Sequence, residues 1–256
     1  SFKQDKNLKV SEGPGFAPTL LQFNNERYPF SKKEFRQALT YATNKQEIVD
    51  VVMLKAATPG SSAFLHPTLS SYNPDTAKYE FNLQKAAEIL DSINFKDTDG
   101  DGIRESEQGK KLAFDLLVYA NNPLRIRIAE LLKDYYGKIG VQVNIKAMDM
   151  STVDDLVWPE FEVTKGRDYD MALWGWGASM MNKPTNLKDL FYSDLNIGYV
   201  NIGAYKNPEF DKVSDQLDAE YNPEKRKELL FKMQEIVAED CPIITLYYPI
   251  EAYAYN

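Results

Sequence analysis

Leu112–Ile145, LAFDLLVYANNPLRIRIAELLKDYYGKIGVQVNI, decides the fold. Leu112, Phe114, Leu116 and Val118 recur at every second position, the period of a strand with a buried face. Asn122-Pro123 is a helix start, because Asn caps the first free N–H groups and Pro fits the first helical position. It predicts a helix over LRIRIAELLKDYYGKI, ended by Gly140. Val141, Val143 and Ile145 then alternate again. Strand, helix and strand in this order make a βαβ unit, with neighbouring parallel strands and a right-handed crossover. The chain is α/β.

The next stretch to read is Tyr169–Phe191, YDMALWGWGASMMNKPTNLKDLF. Met171–Trp174 predicts a buried strand that breaks at Gly175 and Gly177, followed by a polar loop and a Pro-led helical turn. Gly-interrupted aromatic loops at strand ends let the backbone approach a ligand. Trp174 and Trp176 would supply rigid apolar walls with an indole N–H to spare. The competing reading is two core tryptophans beside a tight turn.

Around these stretches the elements follow in order. Thr19–Asn24 reads as a strand. Ser31 with Glu34 and Asn44 with Glu47 are capping-box patterns opening KKEFRQALTYA and KQEIVDVVML. Lys55–Tyr79 is a long loop carrying the chain's single histidine, His66. Asn82 caps LQKAAEILDSI, and another helix falls near Thr152–Phe161. Asn207-Pro208 and Asn222-Pro223 open two more helices, and Ile243–Tyr248 closes as a strand. No repeat or composition break divides residues 1–256, so they read as one mixed α/β domain.

A net charge of −8 excludes a nucleic-acid surface. No apolar run is long enough to cross a bilayer. Cys241 has no second cysteine to pair with and reads as a small buried residue. His66 is the only imidazole for a nucleophilic hydrolase, and no G-x-S-x-G accompanies it. There is no Walker A sequence and no G-x-G-x-x-G, and one Cys with one His cannot build a zinc site. No cofactor is implied, and no pair of carboxylates stands out for glycoside hydrolysis.

Asp97, Asp99 and Asp101 before Gly102 match the first half of an EF-hand loop, with Glu105 at its ninth position. Gln108 stands where the bidentate Glu belongs. The competing reading is a turn closed by Asp side chains on nearby N–H groups.

FNNERYPFSKKEFRQALTYATNKQEIV, NFKDTDGDGIRE, IAELLKDYYGKIGVQVNI, YDMALWGWG, YVNIGAYKNPEFDKV and LLFKMQEIVAEDCPIITLYY follow in this order from Phe23 to Tyr248. Together they resemble the family 5 solute-binding proteins of ABC transporters, the oligopeptide- and dipeptide-binding group. The resemblance implies a type II periplasmic-binding-protein-like fold with two lobes, of which this chain looks like the C-terminal one, cut at both hinge crossings. It implies a monomeric, non-enzymatic, extracytoplasmic receptor, either a cell-surface lipoprotein or periplasmic. The partners it implies are an N-terminal lobe, a peptide or small solute trapped between the lobes, and an ABC permease.

The resemblance also implies that the Trp loop faces the cleft, with walls from Trp174 and Trp176 and hydrogen bonds from Ser179 and Asn182. In peptide-binding relatives an Asp pairing with the peptide's α-amino group stands where this chain has Ser179. A hydroxyl cannot supply that charge, so a neutral solute, a blocked peptide or another carboxylate comes into play. Met180, Met181 and Asn182 make a soft, polar-edged surface. Asn201 and Tyr205 match a family segment near the cleft. The alternatives are a sugar-binding receptor of the same family, a carbohydrate-active enzyme, or a Ca²⁺-tuned module.

Overall fold

Strand-forming runs lie at β1 (Lys9–Pro14), β2 (Thr19–Phe23), β3 (Ala57–Pro59), β4 (Ala113–Tyr119), β5 (Gln142–Met148), β6 (Met171–Gly175) and β7 (Ile243–Tyr255). The computed structural model describes residues 9–181 and 183–255. The strands form one mixed sheet in the order β1-β7-β2-β6-β4-β5, with β3 paired to β7. As the βαβ pattern predicts, β4 and β5 are parallel neighbours, in register from Ala113↔Gln142 to Tyr119↔Met148. β6 runs parallel to β4 on its other side, and β2 lies antiparallel between β6 and β7.

Both faces of the sheet are covered, which is why β2 is buried at every position. Leu21, Phe23, Leu116, Val118, Met171 and Leu173 point into one core with α1 (Lys33–Tyr41), α3 (Leu83–Ser92) and α4 (Pro123–Gly137). Their alternates Leu20, Leu117, Ala172 and Trp174 enter a second core. That core is closed by α5 (Met150–Val157), α7 (Asn186–Phe191), α8 (Pro208–Ala219) and α9 (Pro223–Asp240), while α6 (Ala178–Met181) is a single turn. Each fully buried aliphatic or aromatic side chain contributes about 1.5–3 kcal/mol by leaving water.

The helix starts are local. Oδ1 of Asn122 accepts from Arg125 N at 3.0 Å, and Oδ1 of Asn82 from Lys85 N at 2.9 Å. Asn207 and Asn222 do the same for α8 and α9. Such caps are worth about 1 kcal/mol each. Asn44 caps α2 (Lys45–Glu47) reciprocally with Glu47, as its sequence predicts.

Several expectations need correction. The cap of α1 is Lys32 with no side-chain bond, because Ser31 belongs to the preceding turn, its N–H donating to Arg27 O. The helix expected to Leu54 widens after Glu47 into a π-turn over Ile48–Val52, where four β-branched residues crowd an ordinary turn. It stops where Leu54 and Lys55 take positive φ. Helix α4 ends at Gly137, and Gly140 serves the following turn at φ 78°. β1 and β3 were not foreseen, and β7 runs seven residues further than expected, to Tyr255.

Those extra residues matter for the site. Thr19 pairs with both Gly175 of β6 and Tyr247 of β7. Beyond Tyr247, β7 pairs with β1 from Pro14↔Ile250 to Lys9↔Tyr255. The β1–β7 ribbon therefore leaves the sheet on the edge where β6 ends.

Candidate ligand-binding site

The parallel strands β4, β5 and β6 finish together at Tyr119, Met148 and Gly175. Outside the carboxyl ends of such strands is where open α/β sheets hold ligands. Three indoles meet there. Trp174 is 6% exposed, whereas Trp176, two residues on, is half-buried. Their rings pack edge to face with centroids 6.3 Å apart. Trp158, delivered from the end of α5, packs on Trp176 at 5.7 Å. The indole N–H groups of Trp174 and Trp158 are buried and have no hydrogen-bond partner among the described residues. An unsatisfied buried donor costs about 1–3 kcal/mol, which a ligand acceptor would relieve.

Gly175 allows a close approach. A Cβ there would stand 2.9 Å from Arg125 Nη2 and 3.1 Å from the Pro18 carbonyl. Arg125 enters from the first turn of α4, donates from Nη1 to the Leu173 carbonyl at 3.0 Å, and lies over the Tyr119 ring at 4.9 Å. Burial lowers its pKa, though a guanidinium remains charged. It forms no ion pair among the described residues. Tyr119 donates to Asp154 Oδ1 at 2.6 Å, and burial followed by that carboxylate raises the phenol's pKa. The rim is apolar: Leu124, Met150 and Phe161 are exposed where α4 and α5 begin and where the Trp158 turn ends. Glu160 and Phe161 both hold positive φ in that turn, a strained conformation of a kind that clusters at functional sites.

The predicted residues fall into two groups. Trp174, Trp176, Ser179 and Met180 share this edge, with Ser179 exposed and its carbonyl accepting from Asn186 Nδ2 at 3.2 Å. Asn182 lies outside the described residues. Asn201 and Tyr205 are each 2% exposed and bonded internally. Asn201 donates to the carbonyls of Tyr192 and Tyr205 and accepts from Tyr205 N, while the Tyr205 hydroxyl donates to Asp240 at 2.5 Å. With Trp176 they line a cavity of about 10 Å³, room for one water molecule and no solute. Asp97, Asp99 and Asp101 lie at the other end of β4 and β5, near Gly140. His66 is 2% exposed between the rings of Phe16 and Tyr248.

Arg125, Tyr119, Asp154 and Trp158 were missed. The only available signal was position: Tyr119 ends β4, Arg125 lies in the first turn of the helix after it, and Asp154 and Trp158 lie in and just after the helix that follows β5. The set offers stacking surface, indole donors and one cation, a recognition chemistry.

The model for bacterial extracellular solute-binding proteins, family 5 Middle, matches residues 1–199. The chain belongs to the family 5 bacterial extracellular solute-binding proteins. It is 29% identical over 247 residues to the oligopeptide-binding protein AppA of Bacillus subtilis, covering 95% of this chain and 43% of that protein. The structure of AppA with a nonapeptide superposes at a TM-score of 0.86, with 28% identity over 98% of this chain and 48% of AppA's. NikZ of Campylobacter jejuni, solved with Ni(L-His), gives 0.82 at 27% identity, covering 100% of this chain and 49% of NikZ. An oligopeptide ABC transporter binding protein of Thermotoga maritima, solved with mannohexaose, gives 0.80 at 26% identity over 96% of this chain and 48% of its own. The chain thus spans less than half the length of these solute-binding relatives. Its architecture is the α/β mixed sheet of the periplasmic binding proteins.

Proposed function

We propose that this chain is the C-terminal ligand-binding lobe of a two-lobed receptor that delivers peptides or related small solutes to an ABC permease. The observation that carries the reading is the shared edge: the indoles and Arg125 sit where β6 ends, and the β1–β7 ribbon leaves there. A second lobe continuing from that ribbon would close over the indoles. Trp174, Trp176 and Trp158 form the wall, Ser179 and Met180 the adaptable border, and Arg125 the cationic anchor. Asn201 and Tyr205 support the wall from beneath through the cavity they share with Trp176. Binding followed by hinge closure is the whole mechanism, and no bond is made or broken. The receptor works outside the cytoplasm as a monomer, anchored as a lipoprotein or free in the periplasm.

Ser179 shapes the ligand class. It cannot neutralise an ammonium, whereas Arg125, packed against Gly175, can neutralise a carboxylate. A ligand with a free acid and a masked or distant amine suits the site. A sugar is the second reading, favoured by the cluster of three indoles at this edge. Native mass spectrometry of the receptor purified without refolding tests the choice. A co-purifying peptide mixture supports the first reading, a single oligosaccharide mass the second, and turnover of any bound compound would overturn both.

A further inference from the structure

We propose that Asp97, Asp99, Asp101 and Glu105 form a Ca²⁺ site for which the Lys111 ammonium competes. One carboxylate oxygen of each acidic residue lies within 4.8 Å of the others. Asp97 organises the loop, accepting from Gly100 N at 2.7 Å and Gly102 N at 2.9 Å. Those bonds would also serve a simple turn, so they do not discriminate.

Glu105 does. It is 6% exposed and comes from the strand-like segment after the loop, bridged to Lys96 and Lys111. Its Oε2 accepts from Thr98 N and Oγ1, each at 2.8 Å. Its Oε1 is buried, accepts no hydrogen bond, and has only the Lys111 ammonium at 3.9 Å. A buried carboxylate oxygen left this way is costly unless a cation meets it. The same ammonium lies 2.9 Å from Asp99 Oδ2 and touches Asp101 Oδ2. The carboxylates thus already surround a cation position, but a single positive charge answers four negative ones.

The chemistry favours Ca²⁺. The donors are hard oxygens on a Gly-hinged loop, which suits an ion accepting irregular coordination at about 2.3–2.6 Å better than octahedral Mg²⁺. Gln108 at the twelfth position is not decisive. The chain turns at Ser106, whose carbonyl accepts from Gly109 N at 2.8 Å, and the buried Glu105 takes the closing role from position nine. Lys111 has a long stem and a 41% exposed side chain, so it can swing out to solvent when displaced. The bound ion would tie the loop to the α4–β5 corner, where Arg104 Nε already donates to the Ile139 carbonyl at 2.9 Å. This site is independent of the indole edge.

Calorimetric titration of the chain with CaCl₂ at constant ionic strength tests the proposal, with thermal unfolding alongside. A single site of about 10⁻⁴–10⁻³ M, as in extracellular modules, and a midpoint rising with Ca²⁺ are expected. Asp101→Asn should weaken binding at least severalfold, and Lys111→Met should tighten it severalfold. A turn-only role predicts no heat in any of the three proteins, and that result overturns the proposal. Equal midpoint shifts with MgCl₂ would also overturn it, as screening of an acidic loop. Should Asp101→Asn fail to fold, the affinity of the exposed-site variant Lys111→Met decides.

Discussion

The Arg125 guanidinium lies 4.9 Å over the Tyr119 ring, at the edge where three parallel strands end. The ring contact and the bond from Nη1 to the Leu173 carbonyl hold the cation at this edge. The pair joins a residue from the end of β4 to one from the start of α4, so the βαβ turn itself builds the anchor.

Arg125→Lys keeps the charge but loses the planar fork and the stack. Affinity of the receptor for a carboxylate-bearing ligand should fall about tenfold or more, a hydrogen bond to a charged group being worth about 1.5–3 kcal/mol. The thermal midpoint should barely move. An equal loss for the amide of the same ligand would show that Arg125 does not read the acid.

The two neighbouring tryptophans should separate stability from binding. Trp174→Ala removes a core side chain and should cost about 3–5 kcal/mol in denaturant unfolding. Trp176→Ala should cost much less stability yet weaken ligand binding more. Matching stability losses for both would mean that the pair is simply core.

Gly60 is a packing constraint that can be checked directly. A Cβ there would meet the Thr245 carbonyl oxygen at 2.1 Å, and backbone cannot step aside as a side chain can. Gly60→Ala should destabilise by about 1–3 kcal/mol, as overpacking does. Gly13→Ala has nothing within 4 Å and is the control. Equal midpoints for the two variants would refute the contact.

His66 should lower stability in mild acid. Burial pulls its pKa below the usual 6.5, so the unfolded chain binds the proton more readily. Its contribution is complete above about pH 6.5 and is lost as pH falls through that value towards the folded pKa. Proton NMR of the chain's only histidine should give a midpoint below 6.5, and His66→Gln should flatten the stability profile in this window. A midpoint above 6.5 would reverse the sign.

Much of the secondary structure was legible because it is decided within a few residues. Asn122, Asn207 and Asn222 cap helices whose first N–H groups are two or three positions away. The alternation of Leu116 and Val118 against Leu117 directly sorts those side chains into two cores. Trp174 and Trp176 were visible because Gly175 and Gly177 interrupt the strand. Ser31 misled because a good capping residue was already committed to the turn before it.

The rest depended on distance along the chain. Arg125 is an ordinary charge on an amphipathic helix until Leu173, 48 residues later, is laid beside it. Trp158 joins the other indoles only through the fold of α5 and its strained turn. β1 is mostly polar and exposed, and it becomes a strand solely because β7 offers it backbone partners. By itself, the sequence determined the capped helices, the strands β2, β4, β5 and β6 and the first half of β7, and their order, since capping and periodicity are local. The tertiary structure decided which side chains share the ligand edge and where Glu105 points. Those depend on strand order and register, which only the closing of long loops around a common core can set.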